Sequence, residues 1–207
     1  MNWKSFIKPI SLYQLVTVRG THLEVRERNG GRELYLDGYP QTQRRYRQDW
    51  SILLKNLLKQ ETLLLGLGGG DVVKILTSQH TNKLITAVEL EPEVIAVARE
   101  YFGIAPSEKL VILAEDAKLF MARNARQYDL VVVDLYSGDG VPEFVENEQF
   151  LREIARALAP RGVAIINYAS HSFGKSEFEK FENKLKKVFA HVTKRVIWGH
   201  TFYQVTN

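Results

Sequence analysis

Apolar and polar residues alternate along this chain in two different rhythms. Up to about Tyr39, the runs "YQLVTV", "HLEVRER" and "ELYLD" are short and β-rich, and they are separated by Gly20, the Gly30-Gly31 pair and Asp37-Gly38. Such runs between turn residues predict an antiparallel meander. Beyond them, helical and extended patterns take turns. The segment "RQDWSILLKNLLK" puts Trp50, Leu53, Leu54, Leu57 and Leu58 on one helical face. Continuous apolar runs follow at Thr62 to Leu65, Leu84 to Val88, Leu110 to Leu113, Leu130 to Val133 and Val163 to Ile166. Between them lie helical patterns such as "EPEVIAVAREYF", where Pro92 suits a helix start and Val94, Ile95, Val97, Ala98 and Tyr101 face inward. Strands apolar on both faces, each followed by a helix, predict a parallel sheet covered on both sides. The tail "AHVTKRVIWGHTFYQVTN" reads as two more strands turning at Gly199. The expected organisation is a small antiparallel β unit over residues 1–45 and a Rossmann-like α/β domain over 46–207.

The first strand of that sheet runs into "LLLGLGGGD", an apolar run that breaks into glycines and ends on an acid. Gly66, Gly68 and Gly70 therefore fall at a strand's carboxyl end, where open α/β sheets bind ligands. Their spacing is GxGxG, and where a dinucleotide fingerprint wants its third glycine the chain has Asp71. A pyrophosphate at this helix start would be repelled by that carboxylate, which argues against NAD, FAD and ATP. An adenosylsulfonium compound fits better, with no phosphate, a cationic sulfur and an amine. Asp71 also suits an N-cap of "DVVKILTS", and the two readings are compatible. Glu89 closes the second strand nineteen residues after Gly70, where an acid suits ribose hydroxyls. Asp116 follows the third and suits an adenine amino group, with Ala117 beside the ring; Asp134 ends the fourth, before a loop rich in glycine and acid.

Composition narrows the setting. The chain of 207 residues is 45% hydrophobic and 25% charged, enough for one sizeable core and a small appendage. It has no cysteine, which removes disulfides, a thiolate nucleophile and thiolate metal sites; no metal is called for. Neither a signal-peptide core nor a span of about 18 apolar residues is visible, so a cytoplasmic protein without membrane association is expected. The net charge of +4 is scattered. Its most Lys-rich piece, "KFENKLKKVF", places Phe181, Leu185, Val188 and Phe189 at helical spacing, so its lysines read as a solvated face and not as a nucleic-acid contact. Nothing in the sequence argues against a homo-oligomer.

At this point a family resemblance is plain. "SLYQLVTV" resembles the S-x-Y-Q-x-I-x-V opening of spermidine synthases, "LYLDGYPQ" their L-x-L-D-G-x-x-Q strand and "GLGGGD" their I-G-G-G-D-G loop. "AVELEPEVIAVAREYF" is similar to their V-E-I-D-x-x-V segment, and "LAPRGVAIINY" to their L-K-P-G-G strand. The match runs in the family's order from about Ser11 to Tyr168. It implies a small β domain ahead of a class I methyltransferase-type fold with a mostly parallel seven-stranded sheet. Carried over by position, it implies that Gln14, Gly66, Gly68, Gly70, Asp71, Glu89, Leu90, Asp116 and Ala117 hold a nucleoside donor, decarboxylated S-adenosylmethionine or S-adenosylmethionine. Asp134 would receive the acceptor's proton, and Gln41, Trp50, Ser137 and Asp139 would lie on the acceptor side.

The acceptor side departs from the family. Its D-S-S-D loop is Asp134-Leu135-Tyr136-Ser137 here, with Ser137 in place of the second acid and Asp139 nearby. After Gln41, Tyr46 and Arg47 replace an acidic pair, Trp50, Ser51 and Ile52 replace the gate, and Arg44, Arg45 and Arg47 would repel a polyamine. Val72 stands where the loop's last glycine is expected. The leading expectation is an aminopropyl transferase acting on a small-molecule amine. The alternatives are a methyltransferase with an unidentified acceptor and a non-catalytic nucleoside-binding protein.

Overall fold

In the computed structural model, which describes residues 3–55, 57, 60–78, 83–138, 140–168 and 174–207, the chain builds two sheets. The first is the antiparallel meander β1 (Ile10–Val16), β2 (His22–Arg28), β3 (Gly31–Leu36) and the two-residue β4 (Tyr39–Pro40). Helix α1 (Arg44–Leu54) leads into β5 (Glu61–Leu65), α2 (Asp71–Ser78), β6 (Leu84–Glu89), α3 (Pro92–Phe102), β7 (Leu110–Ala114), α4 (Ala117–Arg123) and β8 (Tyr128–Val133). Then come α5 (Glu148–Ala157), β9 (Leu158–Asn167), α6 (Lys175–Val188) and the hairpin β10 (His191–Ile197) and β11 (His200–Thr206). The second sheet has the order β10-β11-β9-β8-β5-β6-β7, with β5 to β9 parallel and β11 antiparallel to β9. Successive strands run outward from β5 in one direction, and the chain then returns to β8 on its other side. That reversal opens a crevice at the carboxyl ends of β5, β6 and β8.

Strand pleat sorts the core into two layers. Leu64, Ile85, Ala87, Leu130, Val132, Val163 and Ile165 pack with α1, α2 and α3, whereas Leu63, Leu65, Val88, Val131, Val133, Ala164 and Ile166 pack with α4, α5 and α6. Each fully buried Leu or Val contributes about 1.5–3 kcal/mol, so both layers are needed. Leu23, Val25 and Leu34 of the meander belong to the first layer, so the small sheet shares a core with the large one. Polar ties add to this: Thr21 Oγ1 donates to Glu91 at 3.0 Å, the Val18 N–H to Glu93 at 2.9 Å, and Arg32 to the Tyr101 carbonyl at 2.7 Å.

Helix α1 ends at Leu54, earlier than the apolar pattern suggests: Leu57 packs on the core from beyond the helix, and Leu58 lies outside the described residues. The expected turn at Gly199 is a two-residue hairpin turn with positive φ at both Trp198 (49°) and Gly199 (90°), the geometry that matches strand twist. Arg45 of α1 donates to the Trp198 carbonyl and so fastens this turn beside α1.

Candidate active site

The glycine loop is shaped by neighbours that leave no room for side chains. Gly66 has φ +92°, and a Cβ there would collide with the Asp134 carbonyl oxygen, because β5 and β8 close on each other. A Cβ on Gly69 would strike the Thr42 methyl group, and one on Gly70 would strike Ile104. Thr42 is itself fixed, its Oγ1 accepting from the Leu34 N–H at 2.8 Å. The meander thus presses the loop from above.

Around this loop lies a cavity of about 360 Å³. Glu89, at the end of β6, accepts the N–H groups of Leu67 (2.9 Å) and Gly68 (3.2 Å) on Oε2 and that of Glu91 (3.2 Å) on Oε1. Burial pushes its carboxyl above the usual range, while those N–H groups favour the charged form. Asp116 is the N-cap of α4, its Oδ1 accepting from the Lys118 N–H at 2.7 Å. Leu90, Ala117, Gly66 and Gly68 line the cavity with both acids. Asp71 is the first residue of α2 and does not cap it. Instead its Oδ1 is gripped by Arg47 through Nε at 2.8 Å and Nη2 at 2.7 Å, while the buried Oδ2 has no partner among the described residues. Burial raises the Asp71 carboxyl and Arg47 opposes that shift.

Asp134 follows β8. Burial pushes its carboxyl up to about 6, against hydrogen bonds from Asn167 and Trp50 that hold it down, with Asp71 and Glu89 adding repulsion. Asn167, the last residue of β9, donates to Oδ1 at 2.9 Å. Trp50 and Tyr46, four residues apart on α1, line this end of the cavity with Tyr136, Ser137, Phe202 and His200. Trp50 meets Phe202 edge-on at 5.3 Å, and burial raises the hydroxyls of Tyr46 and Tyr136. His200 directs Nδ1 to Oδ2 of the buried Asp49 at 2.6 Å.

Most residues marked by sequence line one cavity: Gln41, Trp50, Gly66, Gly68, Asp71, Glu89, Leu90, Asp116, Ala117, Asp134 and Ser137. Gln14 and Gly70 are not among its lining residues. Gln14 is exposed on β1, opposite Glu24, and the meander contributes Thr21, Asp37 and Pro40 instead. Gly70 is needed for packing against Ile104. Asp139 lies outside the described residues. Sequence reasoning missed Asn167 and His200, and it offered Asp49 only as an acid that could swing into the pocket, not as the partner of a histidine. Asn167 carried a signal, as the polar residue that ends the apolar run of its strand.

The Spermine/spermidine synthase domain profile matches residues 52–205. The chain belongs to this family. A polyamine aminopropyltransferase of Vibrio vulnificus is 31% identical over 123 residues, covering 58% of this chain and 41% of that protein. An eEF1A lysine and N-terminal methyltransferase of Bos taurus is 30% identical over 54% of this chain and 18% of that protein. The chain thus spans about half or less of the length of these curated relatives. A spermidine synthase structure from Thermotoga maritima superposes with a TM-score of 0.76 at 17% identity, covering 95% of this chain and 72% of that one. The expected fold, an α/β methyltransferase-type sheet behind a small antiparallel sheet, is the observed one.

Proposed function

We propose that this protein is a transferase that moves an aminopropyl group from decarboxylated S-adenosylmethionine to an amine, in the cytoplasm. One observation carries the reading: two carboxylates in one cavity, Asp71 with a buried oxygen that has no partner among the described residues and Asp134 with its carboxyl pushed up to about 6. An unpartnered buried carboxylate oxygen costs stability unless a ligand satisfies it, and the terminal ammonium of the donor is such a ligand. Family membership supports the same chemistry. No described helix is long and apolar enough to cross a membrane.

The reaction asks little of the enzyme beyond alignment. The acceptor nitrogen forms a bond to the carbon attached to sulfur, the C–S bond breaks with its electron pair going to sulfur, and a neutral thioether leaves. Holding nitrogen, carbon and sulfur in line supplies most of the rate. Asp134 takes a proton from the attacking nitrogen, and a carboxyl near 6 is mostly ionised at neutral pH yet basic enough to receive it. Tyr46, Trp50, Tyr136 and Phe202 give the acceptor an aromatic channel with no second acid among the described residues that line it at that end. An amine with less positive charge than a diamine suits it.

A second reading rests on Arg47. With one Asp71 oxygen held by its guanidinium and the other open, the pair presents opposite charges side by side, which suits the α-ammonium and carboxylate of intact S-adenosylmethionine and favours methyl transfer. Calorimetry with both donors, followed by methylthioadenosine release on an amine panel, tests the choice. Preferential binding and turnover of the decarboxylated donor is expected; binding of intact S-adenosylmethionine alone would overturn aminopropyl transfer.

A further inference from the structure

Asp49 is a carboxylate that the core should not tolerate. It sits on the inner face of α1 with no exposed surface, and its Oδ1 has no partner among the described residues. Its Oδ2 is held by Nδ1 of His200 at 2.6 Å, across 151 positions of sequence. Burying a carboxylate costs several kcal/mol unless a partner offsets it, and a link between α1 and β11 already exists in the apolar contact of Trp50 with Phe202. With the Asp49 carboxylate as acceptor, Nδ1 is the donor, and in the neutral imidazole Nε2 then carries the lone pair. No described residue hydrogen bonds to that Nε2, one face of the ring is covered by Tyr46 at 4.9 Å, and His200 lines the cavity that holds Asp134.

We propose that His200, oriented by Asp49, is a second proton acceptor of this site, serving the acceptor nitrogen. The proposal rests on the reading that the cavity transfers a group to an amine, and it holds for either donor. An amine reaches the site as an ammonium and has no lone pair to attack with. His200 Nε2 removes the first proton, leaving a neutral amine and an imidazolium whose charge Asp49 balances. The nitrogen then bonds to the donor carbon, the C–S pair moves to sulfur, and the new ammonium gives a proton to Asp134. Both groups return their protons to water, so each cycle consumes one ammonium and one sulfonium and yields a secondary amine, a thioether and two protons. This division of labour gives the cavity that holds Asp134 a second group able to take a proton.

The ring touches Asp49 and Tyr46 of α1 and lines the cavity with Asp134 and Tyr136, so the test reads the loss of one group and not the position of a titration. The His200→Asn protein keeps an N–H for Asp49 near the place of Nδ1 but has no Nε2. It is expected to keep its melting temperature and donor affinity while kcat on alkylamines falls about 10²- to 10³-fold, within the range for a lost general base. Its pH–rate profile should lose one ionisation on the acid limb and retain that of Asp134. Asp49→Asn, which removes a positioning residue, should lose less, about tenfold in kcat. In the wild-type protein loaded with methylthioadenosine, added butylamine should move the imidazole NMR signals of His200. A His200→Asn protein with wild-type kcat and an unchanged profile overturns the proposal, and so does a His200 signal that butylamine leaves in place. If Asp134→Asn is inactive in that same experiment, the transferase reading stands and only the role of His200 is lost. If the wild-type protein binds a donor and transfers nothing to any amine, the reading itself fails and takes the proposal with it.

Discussion

The two ends of the cavity are built in opposite ways. At the end proposed for the donor, one short loop and three strand ends supply nearly everything, and the polar groups hold one another through the backbone: Glu89 accepts from Leu67, Gly68 and Glu91, and Asp116 caps the helix that follows it. At the acceptor end, the groups arrive from α1, β8, β9 and β11, and they hold one another through side chains: Asn167 and Trp50 on Asp134, Asp49 on His200, Tyr46 against His200. A backbone-built site depends on glycine positions and tolerates few changes. A side-chain-built site can be rewired one residue at a time.

The largest effect is expected at the boundary of the two ends. Asp134→Asn should lower turnover about 10²- to 10⁴-fold with donor binding kept. In the wild-type protein, the rate should fall as pH drops through about 6, where the carboxylate takes up its proton. The same substitution should raise stability at neutral pH. Because the folded-state pKa lies above the unfolded value near 3.8, the native state binds more protons between about 4 and 6, and stability is lost as pH rises through that window. Asparagine removes that cost and forfeits the Trp50 bond, leaving a gain of roughly 1–2 kcal/mol. Thermal melts at pH 5 and pH 7 check the sign: a variant no more stable at pH 7 would mean that Asp134 is not strained by burial.

Next comes Gly66→Ala, which attacks the backbone-built end. A left-handed φ and a collision with the Asp134 carbonyl act together, so a loss of about 3 kcal/mol or more is expected. Unfolding in urea measures it, and an alanine that costs under 1 kcal/mol would show that the loop has slack.

How far each end was legible in sequence follows from the same contrast. The donor end announces itself because the loop and the strand-end acids are each a local pattern: glycines after an apolar run, one carboxylate at each strand's carboxyl end. The large sheet was equally legible, since its five central apolar runs became β5 to β9. His200 was not, because its meaning depends on Asp49, 151 positions away, and on a hairpin that folds back onto α1. Gln14 is a different case: its motif fits the family, and β1 carries it to an exposed position opposite Glu24, outside the lining of the cavity. The early end of α1 likewise reflects tertiary packing, with Leu57 reaching the core from outside the helix.

Arg47 of α1 reaches across to Asp71 at the start of α2, and replacing it sharpens the comparison. Arg47→Met removes the guanidinium from Asp71 while keeping an apolar stem on α1. If intact S-adenosylmethionine is the donor, its affinity should fall about 10- to 100-fold, the scale of a hydrogen bond to a charged group. A decarboxylated donor should bind as well or better, because Asp71 is then free to face its ammonium. Titration of both nucleosides into both proteins gives the answer, and equal losses for the two donors would reduce Arg47 to a support for Asp71.

The smallest effect belongs to Arg161, far from either end, and it serves as the control. Arg161 has φ +67° in the irregular stretch of β9 where its register against β8 shifts, towards the opposite end of that strand from Asn167. A residue with a Cβ pays about 1 kcal/mol in that region of backbone space, and glycine does not. Glycine gives part of this back through the greater freedom of the unfolded chain, and the exposed Arg161 side chain leaves little packing to lose. The neighbouring Gly162 offers no alternative site for this freedom, since a Cβ there would press on the Ala159 and Tyr128 carbonyls at 2.8 and 2.9 Å. Arg161→Gly should therefore stabilise by about 0.5 kcal/mol, raising the melting temperature by roughly 1–2 °C for a chain of this size. Donor affinity and turnover should not move. A variant that is more stable but slower would show that the rigidity of β9 reaches Asn167 and through it Asp134, and the two ends of the cavity would then share more than a boundary.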